Sequence, residues 1–246
     1  MKKTTLLILL CGAITAQADI TLPKAIDSKM VLQRDREVPV WSWADQGEEV
    51  TVEFAGQVKK AMPDATGKWM LKLDPMPASA ESRTMTVKGK NEIKLDDVLV
   101  GEVWLATGQS NMQLTFRDNN PEEWPVAQMQ KGNRLVRALH VRRVVAGAVM
   151  DDINGRWKDC ADMLANSDSV SSVAFFFAVK LQKEIGIPVA FIDCPWGGMR
   201  IESFIPDEGY KAINVALPVH GKTPDLKRAE AELAAWFKTQ TPLSTL

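Results

Sequence analysis

The chain has 246 residues and a formal net charge of −1, with 46% hydrophobic and 25% charged residues. This length suits one large domain or two small ones, and the apolar fraction is sufficient for a buried core. The sequence contains no basic run, which argues against a nucleic-acid partner. Its three cysteines form no CxxC pair and only two histidines are present, so we predict no metal site and no cofactor.

The first 18 residues have the pattern of a secretory signal peptide. Two lysines precede an apolar run over residues 6–14, and the small-residue sequence Ala16-Gln17-Ala18 follows it. The apolar run is too short to span a bilayer. We therefore expect cleavage before Asp19, a periplasmic or secreted protein, and no membrane attachment after cleavage.

After cleavage two cysteines remain, Cys160 and Cys194. An exported protein can join such a pair in a disulfide. Buried free thiols are the alternative, and the sequence does not choose between them.

Residues 19–97 contain short β-like runs separated by turn residues such as Asp45-Gln46-Gly47. The runs are residues 30–32, 38–41, 50–54, 69–73 and 84–87. Their spacing predicts a small antiparallel β-sandwich domain over residues 19–97. Trp41, Phe54 and Trp69 fall on alternating positions, and we expect them to form its core.

Residues 101–112, GEVWLATGQSNM, take the chain from an apolar strand through a glycine corner at Gly108 to the start of a helix. Ser110 is then expected at the carboxyl edge of a parallel sheet, where open α/β sheets bind their ligands. Backbone N–H groups at a helix start point outward, as an acyl-transfer site requires. The alternative is an ordinary junction in which Ser110 caps the helix.

The following residues alternate between helix and strand patterns, which predicts a parallel sheet over residues 98–246. Residues 135–145 are β-rich and contain His140, which is expected to be a core or edge histidine. Residues 170–185 predict a helix that ends at Gly186, and residues 188–194 predict a strand. The apolar face of this helix is expected at Val173, Phe176, Phe177, Val179, Lys180 and Leu181. Residues 224–238 predict a further helix.

The string GEVWLATGQSNM closely resembles the nucleophile block of the sialate O-acetylesterase branch of the SGNH hydrolases. Residues 187–206, IPVAFIDCPWGGMRIESFIP, are similar to the family's strand and its WGG-x-x-IE stretch. MVLQR at 30–34 and DATGKW at 64–69 resemble its N-terminal β-domain. The resemblance implies an α/β protein in which an antiparallel β-sandwich precedes an SGNH-type, flavodoxin-like parallel-sheet domain.

The resemblance also implies the site residues. Ser110 corresponds to the nucleophile, and the backbone N–H groups of Ser110 and Gly198 correspond to oxyanion donors. The other residues expected to contact substrate are Gln109, Asn111, Trp196 and Gly197.

Two family blocks, QGE-x-N and the C-terminal D-x-x-H, have no counterpart in this sequence. No aspartate stands three residues before His140 or His220, so a catalytic histidine and aspartate are not recognisable. His220 could serve as the base only if the fold brings it to Ser110. Because proteins of the family are longer, the chain is expected to be an N-terminal part with an incomplete sheet.

The function implied is a secreted esterase that hydrolyses O-acetyl esters of sialic acids through Ser110. One alternative is an acetylxylan-type polysaccharide deacetylase, and another is an inactive relic that acts as a carbohydrate-binding module. A serine peptidase is disfavoured because no G-x-S-x-G elbow is present. The expected partner is an O-acetylated sugar or glycan, and the sequence does not predict an oligomeric state.

Overall fold

The computed structural model describes residues 19–118, 121–145, 149–167, 169–205 and 207–212. The strands in these ranges are β1 (Val31–Gln33), β2 (Val38–Trp43), β3 (Val50–Phe54), β4 (Gln57–Ala61), β5 (Lys68–Leu73), β6 (Ser79–Lys88), β7 (Glu92–Ala106), β8 (Val136–Val141), β9 (Gly155–Asp159) and β10 (Val189–Asp193). The helices are α1 (Ser110–Gln113), α2 (Glu123–Gln128), α3 (Cys160–Met163), α4 (Ser172–Ile185) and α5 (Asp207–Ala212), with a 3-10 turn at Ile201–Phe204.

Most strands belong to one eight-stranded sheet in the order β4-β3-β6-β7-β10-β8-β9, and β1 also pairs with β7. The β3, β4 and β6 strands and the first part of β7 pair antiparallel, whereas β7, β10 and β8 pair parallel. The β2 and β5 strands form a separate antiparallel pair. The chain is therefore a mixed α/β protein, as the sequence predicts.

The fifteen-residue strand β7 connects the antiparallel and parallel regions. Strand β7 pairs with β1 as far as Gly101, and it pairs with β10 from Glu102 onward. Gly101 lies so close to the neighbouring backbone that an added Cβ would stand 2.1 Å from the Pro188 carbonyl oxygen. Glycine is thus required where β10 joins β7. The domain boundary expected between residues 97 and 98 falls inside this strand, and the division into two domains stays a prediction.

The first half of the chain buries alternate residues of its strands, as a sheet with one covered face requires. Val50, Val52 and Phe54 of β3 are buried, and so is Trp69 of β5. Trp41 is partly buried and packs against the same core. The expected aromatic core is therefore confirmed. Strand β4 was not predicted from the sequence, because QVKKA lacks apolar alternation, and none of its residues is buried.

Helix α4 lies where the sequence predicts it and ends at Gly186, whose φ of 71° suits a left-handed cap. The predicted apolar face is confirmed only in part. Phe176, Val179 and Leu181 are partly buried and pack against the core, whereas Val173 and Phe177 are exposed. The buried residues are Ser172, Ala174, Phe175 and Ala178. Small side chains let the helix approach the sheet closely, and Phe175 fills the remaining space against Phe116, with ring centroids 5.3 Å apart.

Cys160 and Cys194 are both free thiols in the structure. Burial raises the pKa of the Cys160 thiol to about 12, because the thiolate would lose its hydration. The thiolate is the reactive form, so Cys160 should resist alkylation.

We expect iodoacetamide near pH 8 to leave Cys160 unmodified in the native protein and to modify it after denaturation. Peptide mapping by mass spectrometry measures both states. Detection of a peptide that links Cys160 to Cys194 would contradict the free-thiol arrangement.

None of the helices in the described ranges is long and apolar enough to cross a membrane. The predicted signal peptide, the predicted helix over residues 224–238 and His220 lie outside the described residues.

Candidate functional site

Ser110 follows the carboxyl end of β7 and is the first residue of α1. In the parallel sheet, Asp193 of β10 is level with Ala106 of β7 and with His140 of β8. The edge at which these strands end therefore carries Ser110, as predicted. Gln109 occupies the N-cap position and no side chain caps the helix, so the capping alternative for Ser110 is wrong. Its side chain is exposed.

The turn before Ser110 runs alongside the turn after β10. Gly108 has a φ of 140°, which is strained for any residue with a Cβ atom. The Trp196 N–H donates to the Gly108 carbonyl at 2.8 Å, and the Cys194 N–H donates to the Ala106 carbonyl at 3.1 Å. These two hydrogen bonds hold the two turns side by side.

The Gly197 backbone packs directly on α1. Its N–H donates to the Gln113 side-chain oxygen, and an added Cβ would lie 3.6 Å from the Ser110 Cα and 2.9 Å from that oxygen. Gly198 follows with a φ of 77° and is exposed. The structure thus brings Ser110 and the diglycine turn into contact, although they are far apart in the sequence.

The backbone N–H groups of Ser110 and Gly198, which both belong to this contact, have no acceptor among the described residues. The Gly197 N–H is occupied by Gln113. Of the remaining predicted contact residues, Gln109 and Asn111 are exposed beside Ser110, and Trp196 is half-buried. The arrangement offers an exposed hydroxyl with uncommitted amides nearby, which is what acyl transfer requires.

A pair of side chains that the sequence did not predict lies on the two neighbouring strands β10 and β8. Asp193 is 2% exposed, and its Oδ2 accepts a hydrogen bond from the His140 ring at Nδ1, 2.8 Å away. Its Oδ1 accepts from the Ser171 N–H at 3.4 Å, at the start of α4, where the helix dipole favours a negative charge. The sequence placed Asp193 near the carboxyl end of a predicted strand, but it placed His140 in the middle of the run 135–145, because the true end of β8 at Val141 was not predicted.

His140 borders a cavity of about 600 Å³. Gln113 of α1 and Asp193 also line this cavity, whereas Ser110 does not. His140 was expected to be a core or edge histidine, but β8 is an inner strand and the side chain is 33% exposed toward the cavity. The part of the chain that the structure describes holds no cluster of three or more histidine, cysteine or acidic side chains that could bind a metal.

The fold resembles part of the fold of a known carbohydrate acetylesterase. The crystal structure of one such enzyme, from Xanthomonas citri, superposes with a TM-score of 0.69 and 30% sequence identity, covering 77% of this chain and 43% of that chain. No protein-family model matches the sequence.

The chain is homologous to the sialate O-acetylesterases. It is 30% identical to the mouse enzyme over 210 residues, which are 77% of this chain and 38% of the relative. It is 28% identical to the human enzyme over 218 residues, 81% of this chain and 41% of the relative. The rat enzyme is 29% identical over 206 residues, 77% of this chain and 38% of the relative. The chain thus spans about two fifths of the length of the curated relatives it matches.

Proposed function

We propose that this chain carries the nucleophile half of an esterase that removes O-acetyl groups from sialic acids. The observation that supports the proposal is the contact between the exposed Ser110 and the Gly197-Gly198 turn. The names of the mammalian relatives support sialic acid as the substrate. The signal-peptide pattern of residues 1–18 supports a periplasmic or secreted location.

In this proposal Ser110 Oγ attacks the carbonyl carbon of the acetyl ester, and the hydroxyl proton passes to a general base. The Ser110 and Gly198 N–H groups donate hydrogen bonds to the oxyanion that forms. Each such donor is worth about a hundredfold to a thousandfold in rate in other enzymes. The tetrahedral intermediate collapses as its bond to the sugar oxygen breaks, and that oxygen takes the proton from the general base and leaves as a neutral hydroxyl. Water then hydrolyses the acetyl-serine ester to acetate and restores Ser110.

The other predicted residues have supporting roles. Gln109 and Asn111 flank the nucleophile and are exposed, so their amides are placed to bind sugar hydroxyls. Trp196 offers an aromatic ring beside the diglycine turn. A glycine is favoured at position 197, because a Cβ atom there would meet Gln113 and Ser110. Its role in the proposal is to keep Gly198 close to the nucleophile.

A second candidate is the deacetylation of polysaccharides such as acetylated xylan. It is favoured by the structural similarity to an enzyme described more broadly as a carbohydrate acetylesterase. A third, the inactive carbohydrate-binding relic, follows from the lack of a D-x-x-H block in this sequence.

We expect the purified protein to release acetate from O-acetylsialic acid faster than from acetylated xylan. Quantification of free acetate at equal ester concentration measures the difference, and p-nitrophenyl acetate provides a substrate without a sugar. A preference for xylan would support the second candidate. Release no faster than that of a Ser110→Ala variant on all three esters would overturn the esterase proposal and support the relic.

A further inference from the structure

The cavity beside His140 has a positively charged wall. Three arginines line it, Arg117, Arg142 and Arg143. The side chains of Arg142 and Arg143 are exposed, and neither guanidinium group forms an ion pair or hydrogen bond with another described residue. The two uncommitted guanidinium groups, those of Arg142 and Arg143, face one cavity and form a site suited to an anion.

The two acidic residues of the same wall are already engaged. Asp118 accepts hydrogen bonds from the Thr115 N–H at 3.0 Å and from its hydroxyl at 2.8 Å. Asp193 is bound by His140 and Ser171. These carboxylates therefore leave the charge of Arg142 and Arg143 available to a ligand.

Positive charge continues into an adjoining cavity that shares His140 and Arg142 with the first. Arg156 and the buried Lys158 line it. Its one acidic lining residue, Asp162, is paired with Lys29 at 2.6 Å. The two cavities together form a cationic groove along the carboxyl edge of the sheet, in the direction away from β7.

The groove begins one helical turn from the nucleophile. Gln113 lies three residues after Ser110 on α1 and lines the cavity. One turn corresponds to roughly 5 Å along a helix axis. Gln113 also accepts the Gly197 N–H, and Gly197 packs against Ser110. Gln113 therefore links the cavity to the nucleophile turn.

We propose that this groove is a subsite for a carboxylate on a sugar residue that neighbours the acetylated one, so that the preferred substrate is an acidic oligosaccharide or polysaccharide. Planar guanidinium groups match carboxylates in geometry and bind them with charge-assisted hydrogen bonds. The assignment of the acetylated residue to Ser110 rests on the proposed function. The binding of acidic chains to the groove does not depend on it.

The test is the affinity for an oligogalacturonate without acetyl groups, measured by isothermal titration calorimetry against a neutral xylo-oligosaccharide of equal length. The variant is the double substitution Arg142→Ala, Arg143→Ala. The matched control is Arg134→Ala. Arg134 is also exposed, but it lies just before the first residue of β8, whereas the groove lies at the last residues of that strand. Circular dichroism and thermal melts confirm that each variant is folded.

We expect the double variant to bind the acidic chain roughly tenfold or more weakly, whereas Arg134→Ala and Ser110→Ala bind it like the wild type. The neutral chain should bind weakly to every protein. Added salt should weaken the binding of the acidic chain and leave the binding of the neutral chain unchanged. Equal affinity of the wild type and the double variant for the acidic chain, or equal affinity of the wild type for the two ligands, would overturn the subsite.

The outcome separates the two proposals. Selective acidic binding with no acetate release from any ester would overturn the esterase function and retain the groove. Acetate release that depends on Ser110, without selective acidic binding, would retain the esterase and overturn the groove.

Discussion

Replacement of Ser110 by alanine should abolish acetate release while leaving the fold intact. The hydroxyl is the proposed nucleophile, and loss of a serine nucleophile in other hydrolases costs on the order of 10⁴–10⁶ in kcat. Ser110 is exposed and its side chain makes no capping bond. The free energy of unfolding should therefore change by less than about 0.5 kcal/mol.

Ser82→Ala is the matched control, because Ser82 is an exposed serine of β6 on the antiparallel side of the sheet. Acetate release and urea unfolding are measured for both variants and the wild type. The nucleophile assignment is wrong if Ser110→Ala retains the activity of Ser82→Ala. A large drop in the urea midpoint of Ser110→Ala would instead show a structural role.

Substitution of Gly101 by alanine should destabilise the protein severely. The new Cβ would lie 2.1 Å from the carbonyl oxygen and 2.7 Å from the carbonyl carbon of Pro188, both backbone atoms that cannot rotate away. The clash has to push β10 from β7, and we expect a loss on the order of 3–5 kcal/mol. That is a large share of the stability of a typical domain, about 5–15 kcal/mol.

Gly132→Ala is the control, since an added Cβ there meets no atom within 4 Å and its φ is not in the left-handed region. Urea unfolding curves compare the midpoints of the two variants. A Gly101→Ala midpoint equal to that of Gly132→Ala would show that β7 and β10 do not pair as described.

The same substitution should also reduce any activity of the molecules that remain folded. The register of β7 with β10 places the turn before Ser110 beside Trp196 and Gly197. Displacement of β10 would separate the two halves of the site. Activity per folded molecule, with the folded fraction taken from circular dichroism, measures this effect.

Local patterns were sufficient for much of the fold. The alternation in β3 and the helix stop at Gly186 each depend on residues that are neighbours in sequence, so both were predicted correctly. Strand β4 was not, because QVKKA lacks the apolar alternation and is a strand through its pairing with β3. The buried face of α4 was predicted only in part, since the close approach of the helix to the sheet buries small residues such as Ala174 and Ala178 most completely.

The site divides in the same way. The sequence by itself determined the glycine corner at Gly108 and the position of Ser110 after a parallel strand, because both follow from short-range backbone preferences. The diglycine turn after β10 was expected from the family resemblance. Only the tertiary structure decided which turns meet. The Gln113 to Gly197 bond joins residues 84 positions apart, and the His140 to Asp193 bond joins residues 53 apart. Such contacts depend on strand order and register, which are set by packing of the whole sheet and leave no local trace in the sequence.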